Sequence, residues 1–127
     1  MRRSFLLMAT ALGEGATGLL LVIWPSLLML LLLGTEQAAL ETLVLARIAG
    51  AALLAFSIVC WTGRSRERDS RQRGLLVAVL FYDVAAAVIL AYAGGFMDCA
   101  GIALWPAVAI HLALAGWATA EVFVERR

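Results

Sequence analysis

Four stretches of this chain are long enough to cross a bilayer, and none of them is charged more than once. Residues 15–35 and 99–120 contain no Asp, Glu, Lys or Arg, and residues 42–63 and 74–97 contain one each, Arg47 and Asp83. At about 1.5 Å of rise per residue each stretch covers a hydrocarbon core of about 30 Å. Backbone polar groups in lipid must be satisfied within their own segment, which makes these stretches helices. The chain therefore reads as all-α, a single integral membrane domain over residues 1–127 built as a four-helix bundle. The expected spans are 4–33, 39–62, 74–93 and 102–124. Composition agrees, since 64% of the residues are apolar and 15% charged, too little polar material to coat a soluble globule of 127 residues.

Charge asymmetry supplies an orientation. Every basic residue is Arg, and nine of the ten lie in three places: Arg2 and Arg3, the run from Arg64 to Arg73, and Arg126 and Arg127. The opposite connections carry only Glu36, Glu41 and Asp98. The positive-inside rule then predicts an N-in, C-in topology with an Arg-rich cytoplasmic loop at 63–73. That loop reads as an orientation signal in contact with lipid headgroups, because nucleic-acid binding would need a larger basic surface. The opening Met-Arg-Arg-Ser-Phe-Leu-Leu superficially resembles a twin-arginine export signal, but the apolar run behind it is too long, so it reads as a start-of-helix anchor. Cys60 and Cys99 fall about a membrane thickness apart, too far for a disulfide, and no Cys-x-x-Cys pair occurs.

Local punctuation refines the helices. Pro25 cannot supply an amide hydrogen to the carbonyl of Leu21, so helix 1 is expected to kink there. The Gly94-Gly95 pair is expected to end helix 3, and Pro106 falls in the first turn of helix 4, where a missing amide costs little. Trp24, Tyr92 and Trp105 near one boundary, with Trp61 and Trp117 near the other, form the aromatic belt of a bilayer-spanning protein.

The candidate functional residues are the titratable side chains inside the spans: Glu14, Arg47, Asp83 and His111. Helical rise puts Glu14 and Asp83 about 12–15 Å from the cytoplasmic end, and Arg47 and His111 about 16–20 Å, so all four are expected in one layer. Small residues flank each of them: Ala11, Gly15 and Gly18 beside Glu14, Gly50 and Ala51 beside Arg47, Ala86 and Ala87 beside Asp83, Ala107, Ala115 and Ala118 beside His111. Such faces point into a bundle. Arg47, a permanent cation, is expected to hold Glu14 or Asp83 in a bidentate pair, leaving the other acid to pair with His111 or to hold a proton. Tyr82, next to Asp83, can donate to a carboxylate. Glu121 falls close enough to the inner interface to be solvated.

No metal is expected, since zinc would want more soft ligands, and no cofactor is expected. Haem or quinone through His111 is the minor alternative; a bis-histidine haem would need a second histidine from another subunit. Two functions fit the polar set. One is a small accessory or scaffold protein, a subunit of a larger membrane complex, whose buried charges cancel and fix helix register. The other is a proton-coupled transporter or a small-ligand-binding membrane protein using the same residues. Behind these two stands a membrane enzyme or redox subunit, although the pattern favours a protein that is not an enzyme. The expected partners are the lipid bilayer and either a second copy or a membrane complex, with Ala46-x-x-x-Gly50 and Ala109-x-x-x-Ala113 as candidate contact surfaces.

Four strings carry a family resemblance: Leu-Gly-Glu-Gly-Ala-Thr-Gly at 12–18, Trp-Pro-Ser at 24–26, Ala-Arg-Ile-Ala-Gly at 46–50 and Leu-Trp-Pro-Ala-Val-Ala-Ile-His at 104–111. Together they resemble a group of small, uncharacterised bacterial four-helix membrane proteins, and the Arg-x-x-Gly of helix 2 is distantly similar to DoxX-like proteins. The resemblance implies a multi-pass protein of the bacterial inner membrane, associated with respiratory or redox partners, and it brings no catalytic residue. Small multidrug resistance transporters also carry a Glu in helix 1. They differ in their weak charge bias and in lacking counterparts of Arg47 and Asp83. Fluoride channels of similar length are set apart by the absence of Asn from this chain and of their phenylalanine-rich filter.

Overall fold

The computed structural model describes residues 2–35, 37–64 and 70–124. Among these residues the chain is entirely helical apart from its connections, with α1 (Arg2–Ile23), α2 (Pro25–Leu33), α3 (Leu40–Gly63), α4 (Ser70–Phe96) and α5 (Leu104–Val124). Four of these, all but α2, are long and apolar enough to cross a membrane, which supports a multi-pass membrane protein.

The expected first span proves to be two helices. Pro25 offers no amide to Leu21, α1 stops at Ile23, and Trp24 takes up a non-helical backbone (φ −139°, ψ 68°) before Pro25 opens α2. Helix α2 ends on Gly34, whose left-handed backbone (φ 73°) suits a residue without Cβ and whose amide donates to the Leu30 carbonyl. The next two carbonyls, Leu31 and Leu32, accept from the amides of Ala103 and Gly101. The connection between α4 and α5 thus completes the end of α2 by satisfying carbonyls that have no partner within the helix. Contrary to expectation, α4 runs on through Gly94 and Gly95 to Phe96. Gly94 serves packing here, since a Cβ on it would meet Leu104 Cδ2 at 2.7 Å, whereas nothing lies within 4 Å of one on Gly95. The first turn of α4 also reaches back into the stretch read as loop, while residues 65–69 of that loop lie outside the described residues.

Helix α1 packs chiefly on α3, and α4 on α5. The first pair approaches at Gly18 and Gly50, where a Cβ on either glycine would meet the carbonyl oxygen of the other at 2.7 Å. Backbones brought this close gain dispersion contacts, the main attraction between helices in lipid. Ser57 Oγ donates to the Ala11 carbonyl at 2.6 Å, a further link between α1 and α3. Gly50, read from sequence as part of a contact surface for another copy, is therefore used within the chain; Ala109 and Ala113 are exposed.

The two pairs join along one half of the molecule. Leu6, Leu7 and Ala11 of α1 meet Cys60 of α3, Leu76 and Val79 of α4 and Ala118 and Val122 of α5 in one buried cluster. These residues lie where α1 and α4 begin and α3 and α5 end, so the tight core occupies the half that carries the start of α1. An ion pair closes that end. Arg3 Nε lies 3.3 Å from Glu121 Oε2, Arg3 Nη2 donates to the Glu121 carbonyl at 3.1 Å, and both residues are buried. This corrects the expectation of a solvated Glu121: Arg3 is drawn inward because helices α1 and α5 cross within its reach. Cys60 is buried, Cys99 is half-buried, and both are free thiols. The five belt aromatics, Trp24, Trp61, Tyr92, Trp105 and Trp117, are all exposed, as residues meeting headgroups must be.

Gly50→Val should separate α1 from α3 and cost about 1–3 kcal/mol of stability, since neither backbone can yield without losing the contact. Gly116→Ala, at a position with nothing within 4 Å of a new Cβ, should leave stability equal or raise it by about 0.5–1 kcal/mol. Unfolding in mixed micelles measures both; equal effects of the two substitutions would refute this account of the α1–α3 contact.

Candidate functional site

Three helices bring polar side chains together just beyond the tight core. Glu14 lies on α1 twelve residues from Arg2, about 18 Å along the helix and so near mid-span. Its side chain is 5% exposed, and its Oε2 accepts a hydrogen bond from the Tyr82 hydroxyl at 2.7 Å. Asp83, the neighbour of Tyr82 on α4, is fully buried, with its Oδ1 2.8 Å from Nδ1 of His111 on α5. At that separation the two atoms share a hydrogen bond, with Nδ1–H donating when the carboxylate is ionised. The chain of contacts runs Glu14, Tyr82, Asp83, His111 and so couples α1 to α5 through two successive residues of α4. The Tyr82 ring also meets the rings of Phe56 and His111, at centroid separations of 5.3 and 5.7 Å, which holds its hydroxyl on Glu14.

The sequence reading foresaw the convergence of Glu14, Asp83 and His111 and the donor capacity of Tyr82. It did not foresee the fate of Arg47. Arg47 is exposed on the surface of the bundle, and its Nε donates to the Val22 carbonyl at 3.2 Å. That carbonyl belongs to the last turn of α1, where intrahelical partners run out and where the negative end of the helix dipole favours a cation. Val22 lies about 30 Å along α1 from Arg2, so the long Arg47 side chain carries its charge to the far end of the span. The break before Pro25 creates this acceptor. The expected bidentate pair between Arg47 and Glu14 or Asp83 is thereby replaced by a helix cap.

Without Arg47 the buried set is two carboxylates and one imidazole, and it is not closed. Asp83 Oδ2 has no hydrogen-bond partner although its residue is sealed from solvent; Thr10 Oγ1, one helical turn below Glu14, is the other buried side-chain atom in that state among the described residues. One carboxylate oxygen each from Glu14 and Asp83 and a ring nitrogen of His111 all lie within 4.8 Å of one another.

Next to this layer the packing opens. A cavity of about 500 Å³ has Glu14, Tyr82 and His111 at its polar end and Leu21, Leu53 and Ile89 among its apolar walls. Helix α2 closes one side with Leu28, Met29 and Leu32. The volume falls within the range of small-molecule sites, and an apolar lining with a few convergent polar groups is what such sites share. No residue pattern announced the cavity. The only signal was the pair of small residues Ala86 and Ala87 beside Asp83, read from sequence as close packing, whereas Ala86 lines open space together with Ala85.

Comparison of the chain with protein-family models, with curated proteins and with solved structures finds no match.

Two double-mutant cycles separate the contacts found from the one expected. Glu14→Gln with Tyr82→Phe should show a coupling of about 0.5 kcal/mol or more, the scale of a hydrogen bond between helices in lipid. Glu14→Gln with Arg47→Ala should be additive within about 0.5 kcal/mol, because the two share no partner. A large coupling in the second cycle would restore the charge pair that the geometry replaces.

Proposed function

We propose that the chain is a multi-pass membrane protein that binds a small, mostly apolar molecule through a polar head, with the head on Glu14, Tyr82 and His111 and the body in the cavity walled by α2. The observation that carries this reading is the convergence of Glu14, Tyr82 and His111 on one end of an open apolar volume, backed by Asp83, whose Oδ2 is unpartnered behind that lining. A purely structural network would be expected to close on itself, since unpaired polar atoms in an apolar bundle cost about 1–3 kcal/mol each. The accessory-subunit reading rested on four groups that cancel one another, and with Arg47 engaged at the end of α1 that cancellation loses its permanent cation. Charge bias still supports an N-in, C-in orientation, which sets the polar layer nearer mid-membrane and the cavity towards the outer leaflet. A molecule partitioning into lipid would reach such a cavity from the bilayer.

Native mass spectrometry of untagged protein purified in mild detergent tests the proposal. The wild type should retain an organic adduct of drug-like mass, and Ala86→Phe, which fills the cavity, should lose it. Glu14→Gln should lower occupancy about tenfold, the effect of weakening one hydrogen bond to a charged group by about 1.4 kcal/mol. Identical adducts on wild type and Ala86→Phe would overturn the reading.

A further inference from the structure

The polar end of the cavity has the makings of a cation site in its own right. Glu14, Asp83 and His111 come from three different helices, α1, α4 and α5, yet each offers one donor atom within 4.8 Å of the other two. Donors about 2.1 Å from a tetrahedrally bound ion stand roughly 3.4 Å from one another, so the three atoms need to close by up to about 1.4 Å to grip one, with the ligating nitrogen of His111 unprotonated and the ring proton on the other. A second observation points the same way. Asp83 is fully buried, and its Oδ2 has no partner, while its Oδ1 is already on His111. A carboxylate oxygen sealed from solvent and left without a hydrogen bond is a costly feature that an ion would remove.

Charge and surroundings narrow the class. Two carboxylates with a neutral imidazole balance a divalent cation, which makes the assembled site electroneutral in a medium where net charge is expensive. Two oxygens and one nitrogen suit a first-row ion such as Mn²⁺, Fe²⁺, Co²⁺ or Zn²⁺, whereas Ca²⁺ asks for six to eight oxygens and Mg²⁺ for a rigid octahedron kept largely by water. The Tyr82 hydroxyl on Glu14 Oε2 is the kind of outer hydrogen bond that orients a ligating carboxylate. Glu14 and His111 line the cavity and Asp83 does not, so the vacant side of a three-ligand ion faces the open volume.

The geometry points to a divalent first-row metal site formed by Glu14, Asp83 and His111, with its open coordination position directed into the cavity. The sequence reading expected no metal because His111 stood alone with too few soft ligands; folding supplies two hard ones instead. The site goes beyond the ligand-binding reading and does not depend on it, since the three donors converge whether or not an organic molecule occupies the cavity.

Co²⁺ is the probe. Untagged protein stripped with chelator in mild detergent and titrated with Co²⁺ should take up one equivalent per chain, with the visible absorption of a four- or five-coordinate nitrogen and oxygen site. Asp83→Asn and His111→Gln should each weaken binding at least 100-fold, Tyr82→Phe about tenfold as an outer partner, and Arg47→Ala not at all. Zn²⁺ should displace the Co²⁺. Uptake that stays octahedral and aquo-like in the wild type, or equal affinity in folded Asp83→Asn and His111→Gln, would overturn the site; if those variants fail to fold, the wild-type spectrum alone decides. Ala86→Phe should keep the metal while losing the organic adduct, so the failure of either proposal is distinguishable from failure of the other.

Discussion

A carboxylate shut away from both water and lipid has to be answered by side chains from other helices, and Asp83 imposes that demand on this fold. His111 answers one of its oxygens, and the next residue, Tyr82, answers Glu14 on α1. Through that pair of contacts α4 becomes the element that ties the α1–α3 pair to α5 at mid-span. Below the tie the helices close on a core of Leu6, Leu76, Val79 and Ala118, sealed by Arg3 and Glu121. Above it the α1–α3 and α4–α5 pairs leave the cavity between them, and α2 covers one side. The polar layer thus marks the boundary between a packed half and an open half.

The break before Pro25 has consequences beyond helix geometry. It ends α1 early enough to leave the Val22 carbonyl in need of a donor, and it frees nine residues, apolar but for Ser26, to form α2. Arg47 fills the first need, and α2 becomes the apolar wall. Because Arg47 is committed there, its charge is withheld from the acids, and the site is left with more carboxylate than cation. One proline therefore shapes both the volume of the cavity and the electrostatics of its polar end.

Much of this was legible in the sequence, for reasons that can be stated residue by residue. Helical rise alone brought Glu14, Asp83 and His111 to one depth, and the small residues beside them marked inward faces; Ala11, Gly18, Ala87 and Ala115 are buried, whereas Ala51 beside Arg47 is exposed. The spans were visible because lipid excludes charge over about 20 residues, a constraint that acts on every segment separately. What stayed hidden depends on contacts between segments. Depth of a Cα does not give depth of a guanidinium, so Arg47 was placed with the acids although its side chain spans the distance to the end of α1. Glu121 looked solvated because its partner, Arg3, is 118 positions away in the chain. Ala86 and Ala87 of α4 looked like a close-packed face, yet Ala86 lines the cavity left between the two helix pairs.

The central claim is that Asp83 and His111 meet in the interior of the bundle. The chain contains a single histidine, so ¹⁵N-labelled imidazole reports on one site without ambiguity. Solid-state dipolar recoupling between that ring and ¹³C-labelled aspartate carboxyls, in protein reconstituted into lipid bilayers, measures the contact directly. The account predicts transfer from the His111 Nδ1 to one carboxyl carbon at hydrogen-bonding distance, abolished by Asp83→Asn prepared with unlabelled asparagine. Absence of transfer in the wild type, or transfer that survives that substitution, would contradict it.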